Sequence, residues 1–154
     1  RIDVGTRWEE LATAYEKADE AGFYAFNDMH AMMAYVATGR SIAAAALLKI
    51  VEAAEDQAGT NGMMTREVGL PIVRAIEAFG REAYGEAMDT LMLVRYRAHI
   101  FGGSHAQRDI VHRTLIEAVL RSPDKALALA LTNERTSLRP HCPFSSQLKQ
   151  RATQ

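Results

Sequence analysis

Apolar residues recur along this chain three and four positions apart, the spacing of one face of an α-helix. Over 8–21 the stripe is Trp8, Leu11, Ala12, Tyr15 and Ala18, and Gly22 stands where such a helix would end. Met29, Met32, Met33 and Val36 mark a second helix over 27–38, stopped by Gly39. Ser41 is placed to cap a third over 42–57, with Ala44, Leu47, Leu48, Val51 and Ala54 on its apolar face. After the turn residues Gly59, Thr60, Asn61 and Gly62, a fourth stripe runs over 65–79 through Val68, Ile72, Val73, Ile76 and Phe79. Pro71 lies inside it, has no N–H and clashes with the preceding turn. The spacing therefore predicts a kink there, or a helix that starts near Gly69 with Pro71 in its first turn. A fifth helix is expected over 84–100, broken by Gly102 and Gly103. Ser104-x-x-Gln107 has the form of a capping box and opens a helix reaching Leu120. Ser122-Pro123 restarts the chain, with Ser122 as cap, for a helix to about Leu138, where Pro140 bars continuation. An extended stretch over 140–144 and a short helix over 145–152 complete an all-α chain of about seven to eight helices.

The elements repeat. Gly39-Arg40 returns 41 residues later as Gly80-Arg81, and a further 41 leads to Arg121, just ahead of the Ser-Pro restart. Each point joins a helix with an apolar end to an Ala-rich helix. The unit is a helical hairpin used three times, over about 27–57, 66–98 and 104–139, with 8–21 as the second helix of an earlier, truncated unit. Small residues follow each junction: Ala44, then Gly85 or Ala87, then Ala126. A tetratricopeptide-type hairpin needs small residues there because its helices cross closely, although its usual repeat is about 34 residues. The expected fold is a single domain over 1–154, a superhelical stack of degenerate tetratricopeptide-like hairpins. The other reading of the same spacing is an ordinary helical bundle.

Composition narrows the partners. Of 154 residues 48% are hydrophobic and 24% charged, enough to form a packed core. Lys plus Arg number 18 against 19 Asp plus Glu, a net charge of -1, which disfavours a nucleic-acid partner. Cys142, the single cysteine, excludes an intramolecular disulfide and a Cys-rich zinc site and is compatible with a reducing, cytoplasmic setting. The apolar run over 41–48 is too short to span a bilayer, so no membrane partner is expected. The chain opens on Arg1 and Ile2 rather than Met, and reads as the carboxy-terminal part of a longer protein.

Several strings carry a family resemblance. They are Phe26-Asn-Asp-Met-His-Ala-Met-Met33, Arg66-Glu-Val-Gly-Leu-Pro71, Val94-Arg-Tyr-Arg97, Gly102-Gly-Ser-His-Ala-Gln-Arg-Asp109, Thr114-Leu-Ile-Glu-Ala118, Asn133-Glu-Arg135, Leu138-Arg139-Pro140 and Pro143-Phe144. In this order, over about 23–145, the chain resembles the carboxy-terminal part of the tetratricopeptide repeat protein 38 family. The resemblance implies an all-helical array of degenerate repeats with an interaction role, and it transfers no catalytic residues.

Four places could carry chemistry. Gly102, Gly103, Ser104, His105, Gln107 and Arg108 form a loop-to-helix junction with Arg95 and Arg97 close in sequence. Glycines ahead of an electropositive helix start, with arginines nearby, suit a phosphate or a partner's carboxylate. The same residues also suit a cap and a packing element. His105, Asp109 and His112 share one helix face and could hold a metal, with His30 or His99 as a further ligand, but three ligands on one helix is awkward geometry. Asp28 and His30 lie beside the methionines, but two residues apart they do not face each other on a helix. Cys142 has no charge cluster beside it in sequence.

No nucleophile elbow, phosphate loop or dinucleotide fingerprint is present. The chain therefore reads as a binding scaffold rather than an enzyme, with no cofactor. A protein or peptide partner is expected on the concave face, near His30, Tyr35, Arg74, Arg95, Arg97 and the Gly-Gly-Ser-His junction. The alternative is a metal-dependent or small-molecule-binding helical domain using the 102–109 junction. The face over 8–15, without a preceding repeat, leaves open a homo-oligomer.

Overall fold

In the computed structural model, which describes residues 4–154, every regular element is helical. The α-helices are α1 (Arg7–Ala18), α2 (Ala25–Thr38), α3 (Ser41–Ala54), α4 (Thr60–Met64), α5 (Leu70–Gly80), α6 (Tyr84–Val94), α7 (His105–Arg121), α8 (Lys125–Leu138) and α9 (Pro143–Ala152). A π-type turn over Thr65–Gly69 joins α4 to α5, so 60–80 is one rod and the described residues hold eight. A single 3-10 turn, Ala98–Phe101, follows α6. No helix among the described residues is long and apolar enough to cross a membrane.

The local rules explain most boundaries and correct some. α1 ends at Asp19 in the left-handed region (φ 51°), not at Gly22. Ser41 begins α3 and makes no side-chain cap. At Pro71 the rod does not break, and the α-helical stretch α5 starts at Leu70 with Pro71 in its first turn, one of the two expected outcomes. Proline leaves the Glu67 carbonyl without its usual donor, and the wider turn ahead of it, where the Leu70 N–H donates to the Thr65 carbonyl, takes up the fault. The Ser104–Gln107 capping box is formed in both directions. Asp124, rather than Ser122, caps α8 by accepting the Leu127 N–H at 2.9 Å.

The three junctions share one hydrogen-bond pattern. Ser41 N–H donates to the Gly39 carbonyl, Tyr84 to Glu82, and Lys125 to Pro123. Three residues further on, Ala44 N–H donates to Arg40, Ala87 to Ala83, and Ala128 to Asp124. Equivalent positions are thus Gly39, Glu82 and Pro123, 43 and 41 residues apart. The Gly-Arg dipeptides that suggested the period are two residues out of register, and Glu82 (φ 65°) takes the left-handed place that Gly39 holds in the first junction. The small residue each junction needs is Ala44, Ala87 and Ala128, all buried, whereas Gly85 and Ala126 are exposed.

The core is continuous from Ala12 to Ala152. α5 lies at its centre and packs on α2, α3, α6 and α7. Its residues Leu70, Ile72, Val73, Ala75, Ile76 and Ala78 are buried around most of the helix, and Arg74 is its outlet to solvent. Close crossings rest on absent side chains. A Cβ on Gly69 would lie 2.5 Å from the Ala25 Cβ, and one on Gly80 would lie 2.6 Å from a Val36 methyl.

Gly69→Ala is therefore expected to cost about 1–3 kcal/mol, because both sides of that crossing are backbone-close and cannot give way. Gly85→Ala, in α6 with nothing within 4 Å of the added methyl, is expected to be neutral or stabilising by less than about 1 kcal/mol. Urea unfolding of the two variants checks the contrast.

Candidate functional site

The 102–109 junction is built onto the start of α2. Phe101 is fully buried and meets Phe26 edge-on, with ring centroids 5.4 Å apart. Its carbonyl accepts the Tyr24 hydroxyl at 3.0 Å. Gly102 and Gly103 then turn the chain at φ 86° and 74°. A Cβ on Gly102 would lie 2.6 Å from the Tyr24 hydroxyl, and one on Gly103 would press into the Phe26 ring. Both glycines are needed twice over, for their backbone angles and for the lack of a side chain.

Several polar groups of the junction are bonded to one another. The Ser104 N–H donates to Gln107 Oε1 at 2.8 Å, and the Gln107 N–H to Ser104 Oγ at 3.2 Å. Arg108 folds back so that Nη1 donates to the Gly102 carbonyl at 3.1 Å and to the Gly103 carbonyl, while Nη2 meets His105 Nδ1 at 3.3 Å. The other two arginines are turned elsewhere. Arg95 pairs with Glu134 of α8 at 3.0 Å and lies over the Tyr96 ring, and Arg97 pairs with Glu67 of the π turn. The structure thus brings Gly102, Gly103, Ser104, His105, Gln107 and Arg108 together, without Arg95 or Arg97 beside them.

His105, Asp109 and His112 part company. His105 faces Arg108, whereas Asp109 and His112 face Arg135. Among the described residues no three His, Cys, Asp or Glu side chains come together to hold a metal. Asp109 takes both ends of the Arg135 guanidinium, at 2.8 and 2.9 Å, and Arg139 adds a contact at 3.1 Å. Arg135 is 3% exposed, so this is a buried, bidentate ion pair. Burial alone would raise the Asp109 pKa, but the hydrogen bonds and charge of Arg135, with Arg139 behind, hold it below the usual carboxylate range. His112 Nδ1 lies 3.2 Å from Arg135 Nη1. A guanidinium only donates, so Nδ1 accepts and the ring is neutral with its proton on Nε2. Burial and the Arg135 charge push the His112 pKa down, consistent with that state. Arg113 and Arg135 both stack on Phe144 at the start of α9, with guanidinium carbons 4.6 and 5.7 Å from the ring centre. One sequence signal pointed to Arg135. It follows Ala128, Leu131 and Thr132 at helical spacing, a charge standing in an apolar stripe.

The remaining candidates resolve separately. Met29 and Met32 are fully buried core, and Met33 packs against them. His30 bonds through Nδ1 to the Phe26 carbonyl at 2.8 Å, and Asp28 is turned instead to the α1–α2 turn, accepting the Gly22 N–H at 2.9 Å. Cys142, half-buried, is the N-cap residue of α9. Contacts from the Ser145 hydroxyl and the amides of Ser145 and Phe144 lower its pKa, and Arg135, distant in sequence, adds to this. An open groove of about 290 Å³ runs between α8 and α9, lined by Thr136, Ser146, Lys149, Gln150 and Thr153.

No protein-family model matches the chain, and no solved structure matches it.

Asp109→Ala leaves the Arg135 guanidinium buried without its counter-charge and is expected to destabilise the fold by about 3 kcal/mol. Replacing both partners with apolar residues, Asp109→Leu with Arg135→Met, is expected to recover a large part of that loss. Chemical unfolding of the single and double variants measures it.

Proposed function

We propose that the chain is a helical-repeat scaffold of tetratricopeptide-like hairpins that holds a protein or peptide partner. The observation that carries this reading is the order of helix packing. Taking α2, α5 and α7 as first helices and α3, α6 and α8 as second, each first helix packs on its own second helix: α2 on α3, α5 on α6, α7 on α8. Each first helix also packs on the next first helix (α2 on α5, α5 on α7), and second helices pack on the following first helix (α3 on α5, α6 on α7). α1 on α2 and α8 on α9 extend the same rule at both ends. Contacts confined to successive neighbours are what a repeat stack requires. The three matching junctions and the resemblance to the tetratricopeptide repeat protein 38 family support the same reading.

We put the binding surface away from the 102–109 junction, where the Ser104 and Gln107 amides and the Arg108 guanidinium are bonded within the junction itself. Of the residues first expected on a concave face, Tyr35 is buried, His30 is bonded within its own helix and Arg74 is paired with Glu52. Large side chains are exposed at the ends of α6 and α8 instead. Leu93 is 79% exposed, Tyr96 68% and Leu138 72%. Tyr96 and Arg95 both reach Glu134, one helical turn before Leu138, which brings the two helix ends together. Tyr and Arg are residue types enriched in binding hot spots, and the two leucines add exposed apolar surface beside them.

The test uses Leu93→Glu with Leu138→Glu. Both side chains are solvent-facing, so the melting temperature is expected to hold. Affinity for proteins captured by the unmodified chain from extract of its own organism should fall at least about tenfold, roughly 1.4 kcal/mol. Equal capture by both forms, or no capture by the unmodified chain, contradicts the proposal.

A further inference from the structure

α1 rests on the array along one side. It packs chiefly on α2, and Ala12 is its one fully buried residue, with Trp8 and Tyr15 partly covered. Arg40, at the α2–α3 junction, ties it down from outside through Glu9 at 2.8 Å, Glu16 at 2.7 Å and the Thr13 hydroxyl at 2.8 Å. The link from α1 to α2 is a short turn with two left-handed residues, Asp19 and Gly22.

Asp28 sits under that turn. It is 2% exposed, and its one hydrogen bond is to the Gly22 N–H through Oδ1. Oδ2 is buried with no partner, and no Lys or Arg among the described residues pairs with Asp28. Burial and the Gly22 amide are the influences that act on its carboxyl, with no charged side chain among them. From α1 the titratable neighbour is Tyr15, whose own pKa is raised by burial and by Asp28. Ile50 and Ala54 of α3 press on Gly22, and Asn61 of α4 donates to the Gly22 carbonyl at 2.9 Å. A carboxylate in this place has lost its water, gained one amide and met no cation, so its charged form opposes closure of the turn.

We propose that α1 is a hinged cover on α2, and that the proton on Asp28 sets how firmly it closes. Burial raises the Asp28 pKa to about 6, against the Gly22 amide, which lowers it. With α1 released the carboxyl returns to water and to its ordinary value of 3.8. The docked form therefore holds a proton that the released form has lost. Docking is at full strength below the ordinary value and weakens as pH rises, until the docked form also ionises near 6. Cover closure is tight in mild acid and loosened at neutral pH.

The experiment is hydrogen exchange of the whole chain from pH 5 to pH 8, with rates corrected for intrinsic chemistry, in the native protein and in Asp28→Asn. Protection of the α1 amides is expected to fall about tenfold over that range relative to those of α5, and to stay level in Asp28→Asn. Asp28→Ser, a second uncharged acceptor for the Gly22 N–H, serves if the asparagine variant does not fold. The histidines are unchanged in both variants, so a decline that persists in either one assigns the effect to them and overturns the proposal. A level profile in the native chain overturns it as well.

Discussion

Everything from α4 to α7 is positioned by how closely the chain can approach the first turn of α2. Tyr24, Ala25 and Phe26 receive the π turn at Gly69 on one side and the loop at Gly102 and Gly103 on the other. At Gly69 only the Ala25 methyl stands between the backbones, and at Gly102 and Gly103 the chain closes directly on the Tyr24 hydroxyl and the Phe26 ring, so the glycines set the crossing distances. The Tyr24 hydroxyl on the Phe101 carbonyl and the Phe26–Phe101 ring contact then fix the register across 77 residues of sequence. This is a steric constraint rather than an attraction. It selects one arrangement of helices whose apolar stripes alone would tolerate several.

The last three helices are held by a different kind of contact. Arg135 reaches from α8 to Asp109 and His112 on α7 and touches the Phe144 ring on α9. A buried ion pair adds little net stability over a well-packed apolar pair, but it tolerates few geometries. It orients α7, α8 and α9 while the apolar contacts supply most of the binding energy. The same network neutralises His112 and uses Asp109, which explains why two side chains with the composition of metal ligands face a guanidinium instead.

The apolar stripes and their order were legible in the sequence, because the 3.6-residue stripe is a local signal, but Thr60, Asn61 and Gly62, which read as a turn, are helical in α4. The Ser104–Gln107 cap was legible for the same reason. Register was less so. Gly39-Arg40 and Gly80-Arg81 look alike as dipeptides, but the second is shifted by two residues, because the left-handed turn there falls on Glu82, a residue type that does not advertise it. The π turn before Pro71 was also hidden, since a proline announces a fault without saying how the backbone absorbs it. At the candidate site, the glycines and the cap could be read, but their partners Tyr24 and Phe26 lie some 75 residues upstream. Arg95 and Arg97 look clustered with Arg108 in sequence, yet each is captured by a carboxylate from another element. Spacing shows which residues share a face and not which face they meet.

The contact of Gly103 with the Phe26 ring is the point at which the steric account can be observed directly. In a proton NMR spectrum the Gly103 Hα that faces the ring should be shifted upfield by the ring current, with a nuclear Overhauser contact to the Phe26 ring protons. A Gly103 Hα at its random-coil position, with no contact to Phe26, would contradict the claim that the start of α2 sets the placement of the helices that follow.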